Sequence, residues 1–389
     1  MISNYQPYFM KDVRESSARE RFKVISTFAG GGGSSLGYRL AGGKVLCVNE
    51  FVEEAIKTYT HNFPDTKVIP GDIKGLSGKD LMDAVGIKKG ELDILDGSPP
   101  CSAFSTAGKR HKNWNKTKLY SDGKKVENIE DLFHEYIRIA TDIQPKVIIA
   151  ENVRGLTIGK AAAKLNEFIS AFETIPPGYL VTYEVLHACD FGVPQERPRT
   201  FFVCVRQDVA DKVGLHMFNM NTEVIPNPTS KHITMGDALS DVALDMDEIQ
   251  MLKDYIQNNS ENQRYWLSIL PKNQTKRLNP CSPEIPKELN PNENYFTLIR
   301  TCANLPSPTL TANGSKRSGA GLFHWNEDRK FTIRELMRLQ GLPEDYELTG
   351  TFDQKAERIG RMVAPKVMAE IANRVYERVL KPYQEAIIQ

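Results

Sequence analysis

Long apolar runs are missing from this chain of 389 residues. None approaches the roughly 20 residues that a membrane-crossing helix needs, and the opening MISNYQPYFMKDVRESSARE lacks the apolar core of a secretion signal. A cytoplasmic protein that enters no membrane is expected. The six cysteines, Cys47, Cys101, Cys189, Cys204, Cys281 and Cys302, form no Cys-x-x-Cys pair and no ligand spacing with histidine, so neither disulfides nor a metal are expected. An excess of charge is missing too: 50 Lys+Arg stand against 49 Asp+Glu, a net charge of +1. The field of the whole protein therefore announces no polyanionic partner. Internal repeats and low-complexity tracts are absent. What is present is ordinary, 40% hydrophobic and 25% charged, and 389 residues suffice for two or three packed domains.

The first half alternates strand and helix patterns. Strands are expected at Lys23–Phe28, Lys44–Asn49, Lys67–Ile69, Leu92–Asp96, Lys146–Ala150, Tyr183–His187 and Thr200–Val205, with helices at about 34–41, 51–61, 77–85, 130–143 and 160–173. That rhythm predicts an α/β fold, a doubly wound and mostly parallel sheet covered on both faces. From about Arg206 to Tyr295 the rhythm is lost in an Asn-, Pro- and Lys-rich interval of short, poorly periodic stretches, read as a smaller, irregular domain. Helical patterns return at Thr332–Gln340 and Pro365–Leu380, the second amphipathic enough to pack back on the first domain.

Unusual clusters follow the strands, where doubly wound sheets hold ligands. After the first comes Phe28-Ala-Gly-Gly-Gly-Gly-Ser-Ser-Leu-Gly37, whose glycines let backbone approach a ligand at a helix N-terminus. The dinucleotide spacing GxGxxG is broken, because Ser35 or Leu36 falls at the third position. Glu50 ends the second strand, placed to accept from ribose hydroxyls. These features fit any nucleoside-containing cofactor or a purely structural turn. Asp96-Gly-Ser-Pro-Pro-Cys-Ser-Ala-Phe-Ser105 is more specific. Its two prolines stiffen the chain and present Cys101 as a nucleophile rather than a core thiol, and an adenine N6-methyltransferase would place an aromatic residue there. Glu151-Asn-Val follows another strand, facing the same crevice or acting as a helix N-terminal acid. In Gln195-Glu-Arg-Pro-Arg199 the side chains of Gln195, Arg197 and Arg199 are expected to share one face of an extended strand. One guanidinium could lock Glu151 and another could bond a base oxygen. Between Thr106 and Lys125 lie Lys109, Arg110, Lys112, Lys116, Lys118, Lys124 and Lys125 against Asp122 alone, with Trp114 and Tyr120 interleaved. Such a run reads as a solvated loop unless neighbouring chemistry requires nucleic acid.

FAGGGGSSLG, Glu50, Gly71-Asp72-Ile73, SPPCSAFS, ENV, QERPR, Arg334-Glu-Leu-Met-Arg-Leu-Gln-Gly-Leu-Pro343 and the Gly360 region occur in this order. The chain resembles the DNA (cytosine-5)-methyltransferases from about residue 22 to 380. Two departures stand out: Arg361 occupies the place of the family's usual asparagine after glycine, and Ser102 that of a frequent glutamine.

The resemblance implies a Rossmann-like, S-adenosyl-L-methionine-dependent methyltransferase sheet. It divides the chain into a catalytic and cofactor-binding domain (1–205), a target-recognition domain (206–345) and a C-terminal segment (346–389) returning to the first. It assigns catalysis to Cys101, Glu151, Arg197 and Arg199. Cofactor contacts fall to Phe28, Ala29, Gly30, Gly32, Gly33, Glu50, Phe51, Asp72, Ile73, Pro100 and Val363. Ser105, Lys109, Arg110, Lys112 and Arg317 are expected on DNA. Asn273, Gln274, Lys276, Arg277, Asn313, Ser315 and Lys316 carry polar side chains able to bond base edges, and as a group they are candidates for that role, although each taken singly reads as a solvated loop residue. The expected partner is double-stranded DNA, bound by a monomer, with a restriction endonuclease acting independently. An RNA cytosine methyltransferase on the same scaffold is the alternative, but tRNA-acting relatives carry Cys-Phe-Thr where this chain reads Arg300-Thr-Cys-Ala-Asn304. A non-catalytic regulator would be expected to lose Cys101 or Glu151.

Overall fold

A computed structural model describes residues 5–99, 118–119, 125–126, 131–259, 261–290, 298–318 and 320–388. The chain divides into two compact units. The larger holds Met10–His187, Pro198–Pro228 and Val363–Gln389; the smaller holds Met1–Phe9, Ala188–Arg197 and Thr229–Met362.

The larger unit is built on seven strands: β1 (Lys23–Thr27), β2 (Lys44–Glu50), β3 (Lys67–Pro70), β4 (Ile94–Gly97), β5 (Val147–Val153), β6 (Tyr179–His187) and β7 (Pro198–Arg206). Their spatial order is β3-β2-β1-β4-β5-β7-β6. Every pair from β3 to β5 is parallel, and β7 runs antiparallel to both its neighbours. The apolar runs of β4 and β5 are fully buried, as parallel strands covered on both faces require. Helices α1 (Met10–Ser17), α2 (Gly33–Leu40), α3 (Glu53–Asn62), α4 (Gly78–Val85), α5 (Asp131–Ile143) and α6 (Ala162–Glu173) complete the layers. On α5, Leu132, Phe133, Tyr136, Ile139, Ala140 and Ile143 form one buried stripe, the spacing of a helix lying on a core. The helix Pro365–Val375 returns to this unit, as its amphipathic pattern predicts. It lies so close to α2 that a Cβ on Gly37 would sit 2.5 Å from the Met368 Cβ and 2.6 Å from the Pro365 carbonyl.

The smaller unit contains a two-stranded parallel sheet, β8 (Leu298–Arg300) with β9 (Gly321–Phe323). Ile256, Trp266, Leu267, Leu270, Leu278, Ile285, Leu298 and Phe323 make its apolar cluster. The helices Met246–Asn259 and Glu261–Ile269 fall inside the interval read as poorly periodic. Only Ile249, Leu252 and Ile256 carry the buried stripe of the first, too few among polar neighbours to register as amphipathic.

The division also differs from the limits 1–205, 206–345 and 346–389. Residues 207–228 stay with the sheet, where Arg374 donates to the Thr222 carbonyl at 2.6 Å. Residues 346–362 belong to the smaller unit because a Cβ on Gly360 would come within 2.5 Å of the Thr311 backbone, so helix Phe352–Arg361 and residues 311–312 pack backbone to backbone.

Candidate active site

The glycine turn begins with a non-glycine in left-handed backbone: Phe28 has φ 54°, and Gly30 and Gly32 follow at 55° and 87°. An aromatic residue rarely adopts this conformation. Here Phe28 rests edge-on against Tyr136, and the Ala29 amide donates to the Asn49 carbonyl at 3.1 Å. Gly32 is the N-cap of α2 and offers no side-chain acceptor, leaving the helix's first amides to another acceptor. Glu50 holds the turn from β2. Its Oε2 accepts from the Gly30 amide at 2.7 Å, and its Oε1 accepts from Phe51 and Val52 at 2.8 Å each. The sequence suggested only a ribose contact for Glu50; the structure gives it a turn-organising role as well.

Glu50→Ala is expected to weaken binding of S-adenosylmethionine by about 1–3 kcal/mol, the scale for hydrogen bonds to a charged group. Calorimetry that finds unchanged affinity would remove Glu50 from the site.

Past β3, Asp72 is exposed and caps the short helical turn Ile73–Gly75, accepting from the Lys74 amide at 3.0 Å. Ile73 is buried in the core of the sheet unit, whereas Phe51 is half-buried. Val363 is buried in the same unit.

At the end of β4, a Cβ on Gly97 would lie 2.4 Å from the Tyr136 ring, so only glycine lets the strand leave the sheet beneath Tyr136. The Tyr136 hydroxyl lies 3.0 Å from both the Leu95 and Ile149 carbonyls. Before it, Asp96 is buried, with Oδ2 accepting from the Ser26 hydroxyl at 2.5 Å and Oδ1 from Tyr38 at 3.0 Å. Loss of solvent pushes this carboxyl up to about 7, opposed by the Ser26 and Tyr38 hydroxyls and reinforced by the charge of Glu151. Sequence reading alone does not single out Asp96, although a carboxylate directly after the apolar pair Ile94-Leu95 and before Gly97 is a usable signal. Pro100, Cys101, Ser105, Lys109, Arg110, Lys112, Lys116 and Lys124 lie outside the described residues. Lys118–Leu119 pairs antiparallel with Lys125–Val126.

On the other side of β4, Glu151 and Arg199 meet. Val153 lies opposite Arg199 in the β5–β7 pair, so Glu151, two residues earlier, is the diagonal neighbour on the same face. Arg199 Nε is 2.9 Å from Glu151 Oε1, with the two side chains only 16% and 12% exposed. Its Nη1 also donates to the Pro198 carbonyl at 2.8 Å, which fixes the fork.

Gln195 and Arg197 do not share that face. β7 starts at Pro198, and the preceding residues pair with Ser307 through Glu196 N to Ser307 O and Ser307 N to Pro194 O. Arg197 is buried in the smaller unit and donates to the Leu310 and Gly360 carbonyls at 2.8 and 3.0 Å. Gln195 accepts from the Leu310 amide and donates to the Leu339 carbonyl and the Gln340 side chain. The motif thus supplies one residue beside Glu151 and two that brace the smaller unit.

Within that unit, Asp353 accepts from the Arg317 amide at 2.9 Å, from Nη2 at 3.1 Å and from Nε at 3.4 Å. Glu357 pairs with Lys316 at 2.7 Å and with Arg361 Nε at 2.9 Å, a local structural role for the residue that departs from the family pattern. Arg277 pairs with Glu196 at 2.7 Å, Lys276 pairs with Glu284, Asn273 bonds Asn326, and Ser315 is buried. Gln274 donates to the Lys272 carbonyl, and the Asn313 carbonyl accepts from Ser318. Cys302, in the stretch compared with tRNA-acting relatives, is buried. A cluster of Cys189, Asp190 and His232 went unnoticed in the sequence; its 2.8 Å His232–Asp190 contact is that of a hydrogen-bonded pair. No helix among the described residues is long and apolar enough to cross a membrane.

A family model described as C-5 cytosine-specific DNA methylase matches residues 22–377. The Type II methyltransferase M1.HphI of Haemophilus parahaemolyticus is 30% identical over 354 residues, spanning 90% of this chain and 86% of that protein. M.NgoFVII of Neisseria gonorrhoeae, also named a Type II methyltransferase, is 28% identical over 92% of this chain and 88% of its own. Among solved structures, a DNA modification methyltransferase encoded within an E. coli prophage superposes with a TM-score of 0.64 at 21% identity, covering 92% of this chain and 99% of that one. The Dnmt2 methyltransferase of S. pombe gives 0.51 at 18% identity, covering 91% and 98%. These two likenesses speak to the fold.

Proposed function

The chain belongs to the C-5 cytosine-specific DNA methylase family, and from that premise we propose that it methylates a flipped cytosine within a short duplex sequence. We further propose that Cys101 is the covalent nucleophile and that the enzyme serves as the modification partner of a restriction endonuclease. The observation that carries the reading is the Glu151–Arg199 pair beside the β4 strand that leads to Cys101.

Carbon 5 of cytosine is a poor nucleophile while the ring is aromatic. In the proposed sequence the Cys101 thiolate adds to C6, and Glu151, oriented by Arg199, hydrogen-bonds or protonates N3, so the electron pair gathers at C5. S-adenosylmethionine, when bound, supplies an electrophilic methyl for C5. The open backbone at Gly30, the uncapped N-terminus of α2 and the Glu50 carboxylate fit such a cofactor. A base then takes the C5 proton, the C6–S bond breaks and Cys101 leaves as thiolate. The target must be unstacked first, at about a few kcal/mol. The basic residues Lys109, Arg110, Lys112 and Lys116 suit a segment that grips phosphates while the base is out.

Sequence choice is assigned to residues 206–331, with Arg317 among the candidate base readers. Bisulfite sequencing of DNA from cells expressing the protein is expected to find protected cytosines at one short sequence. Exchanging 206–331 for the matching segment of a relative with another site should move the protected position. An active chimera that still marks the original sequence would misplace the recognition region, and unprotected DNA from cells making soluble wild-type protein would remove the activity.

A further inference from the structure

The Asp96 carboxylate has no cationic partner among the described residues. Its contacts are the hydroxyls of Ser26 on β1 and Tyr38 on α2, with a further hydrogen bond from Ser34. The other groups facing it are Tyr136 on α5 and Glu151 on β5, and the charge of Glu151 is met by Arg199 on β7. Burial of an ion without an opposite charge is expensive. Proteins commonly avoid that cost with an apolar side chain, and β4 is otherwise apolar here.

The position is informative. Ser26 lies two residues before Phe28, where the glycine turn begins, and Tyr38 stands on the helix that the turn opens. Asp96 therefore sits where both flanks of the turn meet the end of β4. The cofactor expected at this turn carries a permanent positive charge on sulfur, and its product, S-adenosylhomocysteine, is a neutral thioether. We propose that Asp96 is the counter-charge of the cofactor's sulfonium, so that the chain favours S-adenosylmethionine over S-adenosylhomocysteine by charge. The proposal rests on the cofactor reading given above.

The linkage has a definite sign. Burial holds the Asp96 carboxyl up at about 7. A cation nearby favours the carboxylate and lowers that value. Below pH 7, binding of S-adenosylmethionine must then drive the Asp96 proton into solvent, while the neutral thioether leaves it in place. Affinity for the cationic ligand should fall with pH more steeply than affinity for the neutral one. Tyr38 and Tyr136, both raised well above 10 by burial, keep their protons throughout.

The test is calorimetry of the full chain with each ligand in buffers of different ionisation enthalpy, from about pH 5.5 to about pH 7, below the range where α-amino groups titrate. Proton release is expected with S-adenosylmethionine and not with S-adenosylhomocysteine. The affinity ratio between them should change about tenfold across the range, and Asp96→Asn should flatten both effects. Glu151→Gln should retain the difference between the ligands. Equal proton counts for the two ligands on wild-type protein would overturn the proposal even if Asp96→Asn does not fold. A difference that survives in Asp96→Asn but disappears in Glu151→Gln would overturn it too, by moving the counter-charge to Glu151. Failure of both ligands to bind would instead refute the cofactor reading.

Discussion

Cys101→Ser is expected to lower methyl transfer to duplex DNA by a factor on the order of 10³ or more, with S-adenosylhomocysteine binding nearly intact. A serine hydroxyl is scarcely ionised at neutral pH, so it cannot add to C6 as a thiolate does. The cofactor contacts assigned to the glycine turn and Glu50 do not involve this side chain. Transfer of labelled methyl under single-turnover conditions, paired with calorimetry, separates the two quantities. Normal turnover by the variant would sink the nucleophile assignment; joint loss of binding and turnover would point to damage at the turn.

The second large effect is expected at Glu151. Glu151→Gln keeps the shape of the side chain and removes its charge and its capacity to give a proton, so transfer should fall by about 10²–10⁴-fold, the usual contribution of a positioned acid or base. Arg199→Ala should also slow transfer, by about tenfold or more, because the 2.9 Å contact across β5 and β7 is what orients Glu151. Both losses should appear in the single-turnover rate and leave DNA affinity little changed. A Glu151→Gln enzyme that turns over normally would require a different group at N3.

The sheet was legible because its strands are compact apolar runs separated by helical patterns. All seven expected strands are present, with ends shifted by a few residues; the glycine cluster at Gly30 follows β1, Glu50 is the last residue of β2, and Glu151 lies within β5, which runs on to Val153. What escaped was decided by long-range packing. Alternation alone placed Gln195, Arg197 and Arg199 on one face, but pairing of residues 194–196 with Ser307 starts β7 at Pro198 and takes the first two away. Helix Met246–Asn259 buries too narrow a stripe to stand out. Arg317 reads as a free cation in sequence, and only the fold brings Asp353, 36 residues later, against it. Asp96 was overlooked because the prolines and cysteine after it drew the chemistry away from a carboxylate whose importance depends on Ser26 and Tyr38, far earlier in the chain.

The most direct test uses a duplex with 5-fluorocytosine at the target position, incubated with wild-type protein and S-adenosylmethionine. Fluorine at C5 cannot leave as a proton does, so elimination stalls after methyl transfer and the C6–S bond persists. The expected result is a protein–DNA adduct that survives denaturing electrophoresis, depends on cofactor, and maps by peptide mass to Cys101. Methylation of unmodified duplex by the same preparation with no adduct on the fluorinated one, or an adduct on another residue, would contradict covalent catalysis by Cys101.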